Sequence, residues 1–262
     1  GKNNMNKEPI KKENASIALF GDDVGGGFDN VTTQDTSLPY VRILGQLSAE
    51  VNEGDGKYIP GAKAGMIYNN ITNEIFDGKK GIKVIPCYYK RDYVEKSDKG
   101  DLQAIIVAVH SSTSSYFKQG KREGSKYRMP NGNYLEETAY WYVLMETNTG
   151  GMTPALITMK SSQLSISKKW MSMCNLVTIP DGKGGFKKPP HEGLVFNLSS
   201  IVQKNDKGTW YGWSVELDRV LGSEPKDDSL YLSSKTFKND VKKGNVQTKE
   251  DVEEKPKDST PY

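Results

Sequence analysis

Tyr89, Arg91 and Tyr93 stand at alternate positions of Val84–Lys96, VIPCYYKRDYVEK, and Tyr88–Lys96 alone holds three tyrosines and three cations. Single-stranded nucleic acid needs rings beside cations: bases stack on the rings, at about 1–3 kcal/mol per base, and Lys or Arg neutralises phosphate. Tyrosine suits a partly wet groove, because its ring packs while its hydroxyl stays solvated. Aromatic pairs also stabilise ordinary sheets, so packing and stacking both stay open for every ring.

Other chemistries lack their residues. The chain has two cysteines, Cys87 and Cys174, and two histidines, His110 and His191, with no CxxC or HxxxH spacing. A zinc site is therefore not expected, and the thiols read as buried and free, in a reducing compartment. No GxxxxGK[ST] loop occurs, and DDVGGGFDN reads as a flexible joint. DGKGGFKK, with Lys183, Lys187 and Lys188, reads as a connecting loop. His110 adjoins serines in HSSTSS, but no GxSxG elbow is present. No catalytic residue, metal or cofactor is expected, and the chain is not read as an enzyme.

The elements that must position these residues are mostly strands. AGMIYNNITNEIF reads as a hairpin ending at Asp77-Gly78. GIKVIPCYYKRDYVEK reads as a long strand, with Pro86 at an edge or a bulge. Leu102–Val109, LQAIIVAV, reads as a buried strand. ETAYWYVLMET and PALITMK flank a turn at Asn148–Gly151, and GLVFNLSSIVQ pairs with GTWYGWSVEL. Ser161–Cys174 has helical spacing, with Ser161 or Ser162 as N-cap. DSLYLSSKTFKNDVKK is a second helical candidate. The sum predicts a mostly-β barrel or sandwich with disordered termini; an elaborated OB-type barrel with one inserted helix is favoured, and periodicity alone does not separate it from a jelly roll.

On these strands, Ile85, Cys87, Tyr89, Arg91 and Tyr93 are expected to share one face. Trp141, Val143 and Met145 read as core, which leaves Tyr140 and Tyr142 opposite. Trp210 faces outward, with Gly212 leaving room beside its ring. Charge is uneven: Lys79–Pro130 holds 12 Lys/Arg against 5 Asp/Glu in a chain of net charge +3. Part of that excess lies in Ser111–Arg128, a polar segment with Tyr116, Phe117 and Tyr127, read as an arm over a bound strand. The candidate stacking rings are Tyr89, Tyr93, Tyr140 and Trp210. The candidate phosphate contacts are Lys90, Arg91, Lys121, Arg122, Lys126 and Arg128, with Lys168 and Lys169 beside the groove.

The 262 residues suffice for a sizeable core, but a 35% apolar content predicts long loops. The expected organisation is a flexible arm over 1–36, the barrel over 37–221, and an extension over 222–262 with a disordered tail. No apolar run approaches the ~18–20 residues of a membrane span. The chain is expected in the cytoplasm, without a membrane partner, and self-association is left open.

LPYVRILGQLSAEV, GAKAGMIYNNITNEIFDGKKGIKVIPCYYKRDYVE, PALITMKSSQLSISKKWMSM and NDKGTWYGWSVE together resemble a family of tailed-phage single-stranded DNA-binding proteins of the replication module. The resemblance spans about residues 38–218. It implies an OB-fold that coats single-stranded DNA without sequence preference during replication or recombination. It also implies that the C-terminal tail, ending at Pro261 and Tyr262, recruits replication proteins. Gly244–Tyr262 carries 5 acids and 3 lysines, less acidic than such tails. A phage structural or protein-interaction protein with a β-sandwich fold is the alternative.

Overall fold

The computed structural model describes residues 15–98 and 104–246. The chain divides into two units, Gly1–Thr36 and Ser37–Tyr262. The first contains helix α1 (Ala15–Phe20) and buries none of that helix's residues. The second opens with strands β1 (Val41–Ile43), β2 (Ile67–Asn69), β3 (Ile75–Phe76), β4 (Ile82–Lys96) and β5 (Ile106–Ser111). There follow β6 (Lys121–Glu123), β7 (Lys126–Arg128), β8 (Tyr134–Glu146), β9 (Met152–Lys160) and helix α2 (Leu164–Leu176). The chain continues through β10 (Ile179–Pro180), β11 (Phe186–Lys187), β12 (Leu194–Asn205) and β13 (Gly208–Val220) to helix α3 (Asp227–Lys242).

Two long strands organise this unit. β4 has 15 residues and β8 has 13, and they pair antiparallel over most of their length. Each is long enough to pair with two shorter strands in succession along its outer edge. β12 and β5 share the outer edge of β4, and β9 and β7 share that of β8. The resulting eight-stranded sheet runs β13-β12-β4-β8-β7-β6, with β5 and β9 as branches. The mostly-β expectation holds. No closed barrel is formed: among the described residues the sheet ends at β13 and β6, with β5 and β9 branching from the two long strands.

Pro86 lies within β4, which is a central strand, and the ladder with β8 shifts register between Pro86 and Tyr88. Proline has no N–H for a ladder bond, and a bulge absorbs the mismatch. The bulge also exchanges faces. Val84 and Tyr89 pack with the first core cluster, whereas Ile85, Cys87 and Tyr88 pack with the second. Ile85 and Cys87 therefore do not share a face with Tyr89, contrary to the simple alternation.

Both faces of the sheet centre are covered. On one face, Trp141, Val143 and Met145 meet α2, whose Trp170 ring stacks 3.9 Å from that of Trp141. The indole N–H of Trp141 donates to Ser167 Oγ at 3.0 Å, so the buried donor is satisfied. On the other face, Tyr140, Tyr142 and Leu144 meet Phe237 of α3. Tyr140 and Tyr142 are thus in a second core and not on an open surface. α2 begins after a 3₁₀ turn, Ser161–Gln163, and neither Ser161 nor Ser162 caps it; Gln163 occupies the N-cap.

The three-stranded sheet β1-β2-β3 is tied to the large one by main-chain bonds, Leu156 N–H to Pro39 O at 2.8 Å and Ser200 N–H to Gly78 O at 2.7 Å. Gly78 permits this approach, since a Cβ there would lie 2.9 Å from Ser200 Cβ, and also 1.9 Å from Gly65 O. The N-terminus of α3 is fixed by Arg219, which donates twice to the Asp227 carboxylate, both at 2.8 Å. No helix among the described residues is long and apolar enough to cross a membrane.

The strand expected to be buried over Leu102–Val109 is a corrected reading, and its first two residues lie outside the described ones. Among the described residues β5 pairs with β4 alone, and Ile105, Ile106, Val107 and Val109 are all exposed. Its apolar composition indicated burial, but its position at the sheet margin leaves it uncovered.

Candidate nucleic-acid interface

The sheet distributes the candidate residues over both of its faces, because side chains alternate along β4 and β8. Tyr89, Arg91 and Tyr93 do share a face, the one that carries α2 further along. Tyr89 packs edge-on against Trp141, with ring centroids 4.9 Å apart, and burial raises its pKa. Arg91 is paired with Glu137, opposite Tyr93 in β8. Tyr93 is only 5% exposed, stacked 5.1 Å from Phe117 and edge-on to Tyr127. Burial, with the Glu137 charge adding, holds the Tyr93 phenol above its ordinary pKa.

A stacking platform of Tyr89, Arg91 and Tyr93 is therefore corrected. Tyr93 is consumed by a small aromatic core with Phe117, Tyr127, Met129 and Leu135. Residues 111–128 fold onto that core through a 3₁₀ turn, Tyr116–Gln119, and the β6–β7 hairpin, instead of forming a free arm. Arg122 lies 5.9 Å from the centroid of Tyr127 on this side, and Lys168 and Lys169 are exposed on α2.

The opposite face gathers a different set. Along β8 it presents Tyr134, Glu136, Thr138 and Tyr140, with Lys90 of β4 and Lys126 and Arg128 of β7 across from them. Lys121 stands opposite Arg128 in the β6–β7 register. The ammonium of Lys126 is 4.3 Å from the centroid of the Tyr134 ring, and the Arg128 guanidinium is 5.8 Å from it. Lys90 lies 5.0 Å over Tyr140. Tyr134 is half-buried, whereas Tyr140 is only 8% exposed, so the Tyr140 ring is mostly occupied by packing.

Glu136 anchors this face. Its carboxylate accepts from Lys96 Nζ at 3.1 Å, with Lys160 at 3.5 Å and Lys126 at 3.8 Å. Burial pushes its pKa up, but Lys160, Lys96 and Lys126 outweigh burial and hold it below the usual carboxylate range. One carboxylate thus holds three ammonium groups together, two of them about 40% exposed at the side chain, Lys126 (40%) and Lys160 (37%). Arg128 also meets Asp98 at 2.5 Å and Glu123 at 3.3 Å, and Lys90 meets Asp92 at 3.4 Å. The cations outnumber these carboxylates, which leaves a positive, ring-bearing surface.

Lys121, Lys126 and Arg128 therefore gather on one face, which Lys90 and Tyr140 share six positions further along β8. Tyr89, Arg91, Tyr93 and Arg122 lie on the other face, with Lys168 and Lys169 on the helix that covers it. Trp210 is apart on β13, where its indole N–H donates to Gln203 Oε1 at 2.8 Å. The room expected beside Gly212 is filled: a Cβ there would meet Gln163 Nε2 and Gln203 Oε1, each at 2.6 Å. Pro261 and Tyr262 lie outside the described residues. Sequence reasoning missed Tyr134, Lys96, Lys160 and Glu136. Tyr134 shares its parity with Tyr140, a signal present in the alternation of β8, whereas Lys96 and Lys160 join only through pairing.

No curated protein matches the chain. No solved structure matches it either. A family model described as Pam3 phage gp34-like protein matches residues 11–247, most of both units. The chain belongs to the Pam3 phage gp34-like protein family and is a bacteriophage protein.

Proposed function

We propose that this phage protein binds single-stranded DNA without sequence preference, along the face of β4, β8 and β7. The observation that carries the reading is Tyr134, whose half-buried ring lies against Lys126 and Arg128 on a sheet face rich in cations. A base stacks on that ring while phosphates on either side meet Lys126, Arg128, Lys121, Lys90 and Lys160. Glu136 keeps the lysines grouped and does not neutralise them. Such binding serves DNA coating in phage replication or recombination inside the host cell, with the C-terminal residues Pro261 and Tyr262 recruiting replication partners.

The test is a titration of a fluorescent ~30-nucleotide oligo(dT) at two salt concentrations, with duplex DNA as control. Tight binding to the single strand, weakened by salt and poor for duplex, is expected. No binding at low salt overturns the reading. The second reading, a phage structural or protein-interaction protein, is favoured by the exposed apolar β5. It predicts a defined assembly and no salt-dependent DNA binding.

A further inference from the structure

Among the described residues β5 is an edge strand that carries neither charge nor proline. Edge strands offer unpaired N–H and C=O groups, and proteins guard them with charge, proline or bulges. The other margins of the large sheet are guarded. β6 is Lys121-Arg122-Glu123, all exposed; β9 holds Pro154 and Lys160; β13 carries Glu216, Asp218 and Arg219. Ala104–Ser115 contains no Asp, Glu, Lys, Arg or Pro. Within it, Ile105 is 52% exposed and Val107 51%, with Ile106 and Val109 at 38% and 39%. One irregularity is present, a register shift opposite Glu95 and Lys96 that leaves Val107 without a partner in β4. From Ala108 to Ser111 the ladder with β4 is regular.

We propose that β5 pairs antiparallel with β5 of a second copy of this chain, forming a symmetric dimer with a continuous sheet. The occupant follows from charge. A strand with charged side chains finds no counter-charge between Ala104 and Ser115, whereas an uncharged apolar strand needs none, and this chain supplies one in β5 itself. Antiparallel pairing of a strand with itself is self-complementary and closes at two copies, so no fibre grows. A single short strand buries less than the ~1,600 Å² of a standard interface, so the dimer forms and dissociates with concentration.

The two-fold axis of such a pair is normal to the sheet, which keeps equivalent faces on the same side. The Tyr134-bearing faces of the two copies then lie on one side of a single sheet, a consequence that rests on the DNA-binding reading. The dimer itself does not.

Analytical ultracentrifugation of the full chain without DNA tests this. The mass is expected to rise from 29.1 kDa toward twice that value with concentration. Val107→Lys and Val109→Lys, both at exposed positions, are each expected to weaken dimerisation at least ~tenfold with an unchanged melting curve. A wild-type chain that stays monomeric up to ~1 mM overturns the proposal, as does undiminished dimerisation of both variants. A parallel oligo(dT) titration separates the two claims. A dimer that ignores DNA overturns the functional reading alone, and a DNA-binding monomer overturns this one alone.

Discussion

At Tyr134 one ring and two cations occupy the same few ångströms, so substitutions there separate stacking from charge. Tyr134→Ala is expected to weaken single-strand binding by about 1–3 kcal/mol with little change in salt dependence. Lys126→Ala is expected to lower the salt slope by ~0.7, the share of one phosphate contact on a single strand. Arg91→Ala removes a cation from the opposite face, where it pairs with Glu137, and is expected to leave affinity and slope unchanged. Equal losses for Lys126→Ala and Arg91→Ala in the oligo(dT) titration would mean that the strand does not follow the Tyr134 face. Tyr93 is a poor probe of binding, since its ring belongs to the cluster with Phe117 and Tyr127.

Helix α3 is held to the sheet by a buried carboxylate. Asp227 accepts from both guanidinium nitrogens of Arg219 and from the N–H groups of Gly222 and Glu224. The Arg219 bonds lower its pKa well below the usual carboxylate range, against the opposing effect of burial. A carboxylate whose pKa falls on folding stabilises the fold above its unfolded value of about 3.9 and loses that contribution as pH falls further. Asp227→Asn is therefore expected to lower the denaturation midpoint at neutral pH. The gap from wild type should narrow below about pH 4, as the wild-type carboxylate takes up its proton. Urea unfolding followed at several pH values checks this, and a gap that is constant with pH would remove Asp227 ionisation from the account.

At the scale of the molecule, the buried residues of the core clusters lie, among the described residues, between Val41 and Phe237. Every residue of the first unit whose burial is described is exposed. A chain beginning at Ser37 is accordingly expected to unfold in one transition at the wild-type temperature. A large fall in that temperature on truncation, read by circular dichroism, would give residues 1–36 a part in the fold. The same scale governs association, because β5 is an edge only in the assembled sheet and its exposed valines become an interface only there.

Alternation, turn residues and Pro86 were enough to indicate the mostly-β class, the β8–β9 and β12–β13 hairpins, the helix before residue 176 and the bulge in β4. These are local properties: side-chain period, proline's missing donor and glycine's backbone freedom act within a few residues. The clustering of basic residues in the chain was legible, but the sheet divides them: Lys90, Lys126 and Arg128 fall on one face, and Arg91 and Arg122 on the other. The assignment of faces was not. One bulge between Pro86 and Tyr88 moved Ile85 and Cys87 to the side opposite Tyr89, and no local rule locates that shift. Nor does composition tell which apolar strand is central: LQAIIVAV and AYWYVLME are similarly apolar, yet β5 lies at the margin and β8 at the centre. Burial and exposure are decided by which strands pair and by what covers each face, here α2 on one side and α3 on the other. Those contacts link residues far apart in the chain, and only the tertiary structure brings them together.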